Sequence, residues 1–391
     1  MTKRYRLLLA SACVLPLLLF LVGDTTGLLA AKATTSAHPP LVLLSQRDVT
    51  YPGVHGVTLA GTLLIPAHPR GTRVPGVVIV AGSGSIDRNG NELEVGYVSD
   101  LYKQLAESLA QHGIASLRYD KRGVGARSPV PLPKDPAHPT AAEIAAVQQF
   151  GKWDNYIGDA TATLNYLQHR PEIDSHRTVL LGHSEGTNIS EQIASSPRHL
   201  THPPAALVLI GAPGRTLDVV VREQLLNNFI EGGLSSALTD FILAQYDALI
   251  MGIKQEGQIL QAPLENLATN NQVPASITVF FKSFFSVYNL LYLEDQLRLN
   301  PPAILRQYRG PVLIIQGESD QQIFANEDTP LLQAALQSRP HPNHYRILLV
   351  PDASHDLKYV PPGSTGGGVT GPVVPEATDV LNSWLKHTLY H

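Results

Sequence analysis

The chain has 391 residues, of which 43% are hydrophobic and 16% charged, with a formal net charge of -4. That length exceeds the roughly 100 to 200 residues of an average domain and suits an α/β core with a large insertion. The composition excludes a disordered chain, and the absence of a basic excess excludes nucleic acid as a partner.

In chain order, Lys3, Arg4 and Arg6 precede an apolar run from Leu7 to Val22 that is broken only by Pro16. Residues 1–33 read as a signal peptide, with Ala31-Lys32-Ala33 as the cleavage site; the run of 16 residues is short of the roughly 20 of a membrane span. The expected location is therefore secreted or periplasmic, with an uncleaved N-terminal membrane tether as the alternative. The only cysteine, Cys13, lies inside this run, so a cleaved chain would hold no thiol and no disulfide, in keeping with an oxidising compartment. Hydrophobicity continues past Cys13, which argues against a lipid-anchored cysteine.

"LVLLSQRDVTY" and "GVTLAGTLLIP" predict an opening antiparallel pair. Six short aliphatic runs follow: "VPGVVIVAG" (74–82), "GIASLRYD" (113–120), "HRTVLLGHS" (176–184), "AALVLIGAP" (205–213), "GPVLIIQGESD" (310–320) and "HYRILLVPDASH" (344–355). Runs of this kind are strands buried on both faces, as in a parallel sheet. Amphipathic stretches alternate with them: "SDLYKQLAESLAQHG", one long segment from Ala141 to Arg170, "EDTPLLQAALQS" and "EATDVLNSWLKHTL". The fold class is α/β, a mostly parallel, doubly wound sheet. Residues 214–308 contain no strong strand signal and several helical ones, and read as a helical cap between core strands; residues 41–213 and 309–391 form the two parts of the core.

The chemistry centres on Gly182-His183-Ser184-Glu185-Gly186, which follows the strand "TVLL" and opens the helical "EGTNISEQIAS". Strand, tight turn and helix is the setting of a nucleophile elbow, in which glycine on both flanks avoids a clash and a strained serine is thrust above the sheet. The rival reading is a serine that merely caps the helix. A serine hydroxyl needs a histidine base oriented by a carboxylate. In chain order Asp320 follows the strand "VLIIQ" and His355 follows "RILLVPDAS", both at carboxyl ends of parallel strands. Asp320 is preferred to Glu318 because it stands further past its strand. His355 is preferred to His199, His202, His341 and His344, which sit in Pro-rich loops. His183 reads as a packing or positioning residue, and Asp352 and Asp356 as solvated loop charges.

An oxyanion hole needs two backbone N–H groups. One is expected from Glu185, valued for its amide more than for its carboxylate, and one from Ser83 in the Gly-rich loop "GSGSIDRNGN". Neither GxGxxG nor GxxxxGK[ST] occurs there, so no nucleotide cofactor is called for, and no His/Cys/Asp spacing suggests a metal site. The charged run "RYDKRGVGARS" (118–128) reads as structural ion pairing in preference to a basic patch.

Together, "GSGSIDRNGN", "RYDKRGVGARS", "GHSEG" and "DASHDL" resemble the motifs of the α/β-hydrolase superfamily, and within it of secreted bacterial carboxylesterases, over about Leu41 to His387. The resemblance implies an α/β-hydrolase fold, Ser184 as nucleophile, Asp320 as acid, His355 as base, and Ser83 and Glu185 as oxyanion donors. Ser85 stands where the relatives often carry proline. The expected activity is hydrolysis of a small carboxylic ester with a short to medium acyl chain, through an acyl-enzyme. Alternatives on the same triad are a proline-type aminopeptidase, another amidase or a thioesterase; outside enzymes, an inactive hydrolase-fold binding module. The apolar "ASITVFFKSFFSVYNLLYL" serves either as a wall of the acyl pocket or as core packing. Glu223, Glu231 and Asp240 are available to anchor a free amine, and nothing in the sequence sets one of them apart. The oligomeric state is unreadable.

Overall fold

The computed structural model describes residues 45–197, 199–342, 344–364 and 367–390. The proposed signal peptide, residues 1–33, lies outside them. Among the described residues ten strands are formed: β1 (Ser45–Pro52), β2 (Thr58–Ile65), β3 (Val74–Val80), β4 (Asn91–Glu92), β5 (Tyr97–Val98), β6 (Ala115–Tyr119), β7 (Ile173–His183), β8 (Ala206–Ile210), β9 (Val312–Gly317) and β10 (Tyr345–Val350). Eight of them make one sheet in the order β1-β2-β6-β3-β7-β8-β9-β10. β1 and β2 pair antiparallel, as does β2 with β6, and the six strands from β6 to β10 run parallel.

Burial follows position in the sheet. Every residue of β3, β8 and β9 is buried, which is why these segments are rich in aliphatic residues and carry no charge, while β1 at the edge is mostly exposed and mixes Gln46, Arg47 and Asp48 with Val49. The helix Leu101–Gln111 lays Leu101, Tyr102, Leu105 and Leu109 on one face of the sheet, with the closing helix Pro375–Tyr390 beside it. Each fully buried leucine of this kind contributes about 1.5 to 3 kcal/mol.

The expected long helix from Ala141 to Arg170 is two, Ala141–Phe150 and Trp153–Gln168. The first starts on a capping box, with Glu143 N–H donating to the Thr140 hydroxyl and Thr140 N–H to the Glu143 carboxylate, and ends at Gly151. Amphipathic spacing continues across the break and hides it, because spacing does not report on the extended backbone of Lys152. The short antiparallel pair β4/β5 was not legible as strands either, at two residues each.

Between β8 and β9 the chain leaves the sheet through the helices Leu217–Glu231, Ser236–Met251, Gln261–Thr269, Ala275–Phe284, Leu290–Leu297 and Pro301–Leu305. This cap is not a separate globule. Its Phe229, Tyr246, Phe281 and Phe284 belong to the same apolar cluster as Val78, Leu180 and Leu209 of the sheet. No single helix among the described residues is long and apolar enough to cross a membrane.

The strand order places the chemistry. The chain crosses from β3 out to β6 and then returns to β7 on the other side of β3, so β3 and β7 are neighbours at the point where the winding reverses, and a crevice opens at their carboxyl ends. Val80 pairs with Gly182 across them, bringing the loop with Ser83 beside the turn with Ser184.

Candidate active site

The turn after β7 is held by backbone contacts that leave no room for side chains. A Cβ on Gly182 would lie 2.4 Å from the Gly186 carbonyl oxygen, and a Cβ on Gly186 would lie 2.2 Å from that of Val80. Between them Ser184 adopts φ 53° and ψ -125°, a backbone state that costs about 1 to 3 kcal/mol. Its N–H donates to the Ile210 carbonyl at 2.9 Å and its carbonyl accepts from Thr187 N–H at 2.9 Å, so the strained turn is over-determined. The hydroxyl does not cap the helix Glu185–Ser195. The capping reading of Ser184 therefore fails, and the side chain lines an open cleft.

Asp320 and His355 come together on crossing loops. A Cβ on Gly317 would meet the Ala353 carbonyl oxygen at 2.2 Å, Glu318 N–H donates to Val350 and Ser319 N–H to Ala353. His355 Nδ1–H donates to Asp320 Oδ2 at 2.8 Å, and both residues are buried. The same carboxylate accepts from Gln316 Nε2 at 2.9 Å and from the N–H groups of Gln322 and Ile323 at 2.8 and 2.9 Å. Burial works to raise the Asp320 pKa, but the charge of and hydrogen bond from His355, together with those two amides, outweigh it and hold the carboxyl below the usual carboxylate range. Burial likewise works to lower the His355 pKa, and Asp320 reverses it, leaving the imidazole more basic than a free histidine. With Nδ1–H committed to the carboxylate, Nε2 is the acceptor nitrogen. Glu318 is exposed and takes no part in this pair.

Two residues here were missed by sequence reasoning. Gly211, at the end of β8 with φ 57°, lies directly against the pair: a Cβ there would sit 2.8 Å from His355 Cε1 and 2.9 Å from Nδ1. It follows from the strand order, since His355 on the loop after β10 must reach back past the ends of β9 and β8 toward Ser184. The second is Asp356. Read from the sequence as solvated, it is only 3% exposed and accepts from the Tyr97 hydroxyl, and burial pushes its carboxyl pKa up. Asp352 is exposed, as expected.

His183 faces inward. Its Nε2–H donates to the His355 carbonyl at 3.1 Å, and Nδ1 lies 3.0 Å from the Tyr102 hydroxyl, whose oxygen accepts from Gly82 N–H at 2.9 Å. Burial lowers its pKa to about 3, with the nearby His355 adding to the effect, so it is a neutral link between the loops after β3 and β10.

Ser83 also lines the cleft, as does Glu185. Among the described residues neither the Ser83 N–H nor the Glu185 N–H donates to a protein acceptor. The loop around Ser83 is pinned by the charged run after β6. Arg88 donates to Asp120 through Nε at 3.0 Å, Nη2 at 2.6 Å and its backbone N–H at 2.9 Å, and Lys121 Nζ donates to the Gly82 carbonyl at 2.9 Å. Lys121 also pairs at 2.9 Å with the carboxylate of Glu185, whose other oxygen accepts from the Tyr292 hydroxyl of the cap. Arg122 forms a buried pair with Asp159 at 2.8 Å. The run is thus a set of ion pairs, and the Glu185 carboxylate, passed over in the sequence, is one of its partners.

The remaining cleft wall is mostly apolar and mostly from the cap: Leu217, Val220, Val221, Leu299, Pro301 and Ile323. The "FFKSFF" aromatics do not line it; Phe281, Phe284 and Phe285 pack on one another and on Tyr246 inside the cap. Of the sequence's rival histidines, His341 stacks on His344 and His202 lies against His176.

Comparison with known proteins bears on the family and the fold. A sequence profile described as serine aminopeptidase, S33, matches residues 95–359, a span that includes Ser184, Asp320 and His355. No curated protein sequence matches the chain. By shape, the structure is similar to an esterase of Pyrococcus furiosus, with a TM-score of 0.51 at 16% identity over 88% of this chain and 92% of that one. It is similar in the same degree to a hypothetical protein of Pseudomonas aeruginosa, with a TM-score of 0.51 at 15% identity over 90% and 96% of the two chains. A puromycin-hydrolyzing peptidase of Mycobacterium tuberculosis gives a TM-score of 0.52 at 15% identity, over 88% of this chain but 40% of the peptidase. At such identities the likeness is one of fold.

Proposed function

Because the chain belongs to the serine aminopeptidase S33 family of α/β-hydrolases, its chemistry is of the serine-hydrolase type, and we propose that its substrates are carboxylic esters of short to medium acyl chain. The observation that supports this most is the buried Asp320–His355 pair at the strand ends of the sheet that also carries the strained Ser184, whose neighbour His183 donates to the His355 carbonyl.

In this reading His355 Nε2 takes the Ser184 hydroxyl proton as the oxygen attacks the ester carbonyl. Asp320 keeps Nδ1–H oriented and stabilises the imidazolium that forms, which its depressed pKa permits without proton transfer. The tetrahedral oxyanion is received by the free N–H groups of Ser83 and Glu185. His355 then protonates the leaving alcohol, and the acyl group remains on Ser184. Water, deprotonated by His355, attacks that ester and returns the acid. The apolar wall of Val220, Val221 and Leu299 supports a hydrocarbon acyl group.

The family's own description makes amide cleavage at a free amino terminus the second reading. It requires a carboxylate for the amine. Among the described residues the one carboxylate lining the cleft is that of Glu185, already paired with Lys121, while Glu223 is held by Arg215 and Glu231 and Asp240 are exposed. Turnover of p-nitrophenyl butyrate against an aminoacyl anilide decides between them: faster anilide cleavage sinks the ester reading. Fluorophosphonate labelling that Ser184→Ala abolishes is expected, and an unlabelled wild type would favour the binding module. The export signal in residues 1–33 remains part of the proposal, and N-terminal sequencing of the exported protein tests cleavage after Ala33.

A further inference from the structure

Lys121 belongs to a motif that the reaction above does not use, yet it touches both sides of the oxyanion site. We infer that Lys121 is a positioning residue that aims the Ser83 N–H, and that the cap reaches this device through Tyr292. The inference rests on the serine-hydrolase reading and extends it to what sets the oxyanion hole.

The geometry follows from the peptide plane. In a trans peptide the carbonyl and the next N–H point in opposite directions, so whatever holds the Gly82 carbonyl also fixes the direction of the Ser83 N–H. Ser83 lies between Gly82 and Gly84, two residues with little conformational resistance to a peptide flip. A Cβ on Gly82 would be tight, at 3.0 Å from Ser184 Cβ and 3.2 Å from the His183 carbonyl oxygen. With glycine on both sides of Ser83, the loop is gripped from outside. Tyr102 takes the Gly82 N–H at 2.9 Å, and Lys121 Nζ takes the Gly82 carbonyl at 2.9 Å.

All three ammonium protons of Lys121 have a destination: the Gly82 carbonyl, Glu185 Oε1 at 2.9 Å, and the face of Tyr156, 4.9 Å from the ring centroid. Glu185 supplies the second oxyanion N–H from its own backbone, so one lysine ties the two donors together. The other Glu185 oxygen accepts from Tyr292 on the cap helix Leu290–Leu297. Tyr292 itself is wedged edge-on against Trp153 and Tyr156. The path from the cap to the Gly82 peptide thus runs through two side chains, Glu185 and Lys121.

The test separates aiming from folding and from charge balance. Kinetics are normalised to sites titrated with fluorophosphonate, and each variant is also probed with a trifluoromethyl ketone, which forms a tetrahedral adduct, and with the matching methyl ketone, which does not. Lys121→Met is expected to lose about 30- to 300-fold in kcat, approaching the loss of an oxyanion donor, with KM within about threefold. Affinity for the trifluoromethyl ketone falls by the same factor and that for the methyl ketone stays. Lys121→Arg, which can still donate to both oxygens, recovers most of the kcat.

The paired variant Lys121→Met/Glu185→Gln leaves no orphaned charge to unfold the protein, and it too is expected to lose kcat and trifluoromethyl ketone affinity together. Return of the pair to wild-type kcat would show that Lys121 only neutralises Glu185, and would overturn the inference. Tyr292→Phe is expected to show the same pattern at about 3- to 10-fold, as the loss of one hydrogen bond to a charged group; unchanged trifluoromethyl ketone affinity there removes the cap from the device. A wild type that turns over ester and takes the label while Lys121→Met keeps its ketone affinities defeats this inference alone. A wild type that does neither defeats the hydrolase reading beneath it.

Discussion

The two sides of the cleft are held by different physics. The Ser184 turn and the crossing of the Asp320 and His355 loops are fixed by backbone against backbone, at glycines where an added Cβ would meet a main-chain atom within 2.2 to 2.4 Å. The loop around Ser83 is fixed by side chains arriving from elsewhere: Tyr102, Asp120, Lys121 and, at one remove, Tyr292. Steric fixation is all or none and tolerates no substitution. Side-chain fixation is graded, and adjustable one residue at a time.

That contrast can be broken at several points. His355→Ala and Asp320→Asn are expected to lose about 10³- to 10⁴-fold or more in kcat while remaining folded. Glu318→Gln, at an exposed position, should stay within about twofold; the opposite result in the kinetics would reassign the acid. Gly186→Ala tests the steric side directly. With its Cβ driven to 2.2 Å from the Val80 carbonyl oxygen, it should destabilise the protein by more than about 4 kcal/mol in denaturant melts, or fail to accumulate. Gly211→Ala is milder, because its Cβ meets a side chain: about 1 to 3 kcal/mol of stability from the positive φ, and about 10- to 100-fold in kcat as the His355 ring is displaced.

The smallest effects lie in the hydrogen bonds. Tyr102→Phe cuts the link from Gly82 to His183 and should cost about 1 to 3 kcal/mol in a chemical melt, with a few-fold loss of kcat. The pH profile sharpens the acid–base pair. The proposed reaction needs neutral His355, whose pKa is raised above 6.5, so kcat/KM should fall as pH drops through a midpoint above 6.5. The residual activity of Asp320→Asn should show that limb moved to lower pH, since the carboxylate that raises the histidine pKa is gone. An unmoved limb would mean that another group sets it.

The pattern of what could be read from the sequence follows the same division. Ser184, Asp320 and His355 were legible because each stands just past an aliphatic strand, and strand ends are local features of the chain. Gly182 and Gly186 were legible because a tight turn dictates its own flanks. The pairing of Lys121 with Glu185, 64 positions away, was not, nor was that of Tyr292 with Glu185 across 107 or of Tyr97 with Asp356 across 259. Each of these residues looks like an ordinary surface charge or aromatic until the fold sets it beside its partner. Asp356 shows the difficulty: a charged residue in a loop is solvated by default, and here residues distant in the chain, Tyr97 of β5 and His183 of β7, meet it. Gly211 is intermediate, since the strand order that demands it had to be known before its lack of a side chain had meaning.

The cap aromatics and the sheet aliphatics sit in one uninterrupted apolar cluster, with Phe229 and Phe281 alongside Leu180 and Leu209. The lobe that covers the cleft is therefore no interchangeable part. Excising residues 214–308 to make a minimal hydrolase would uncover the apolar faces of the helices that lie between cap and sheet, and grafting another protein's lobe would demand a rebuilt interior. Amides of the Ser236–Met251 helix should exchange hydrogen at the rate of the sheet strands, in a single cooperative opening. A lobe so bound to the body is most readily reshaped through the side chains that face the cleft.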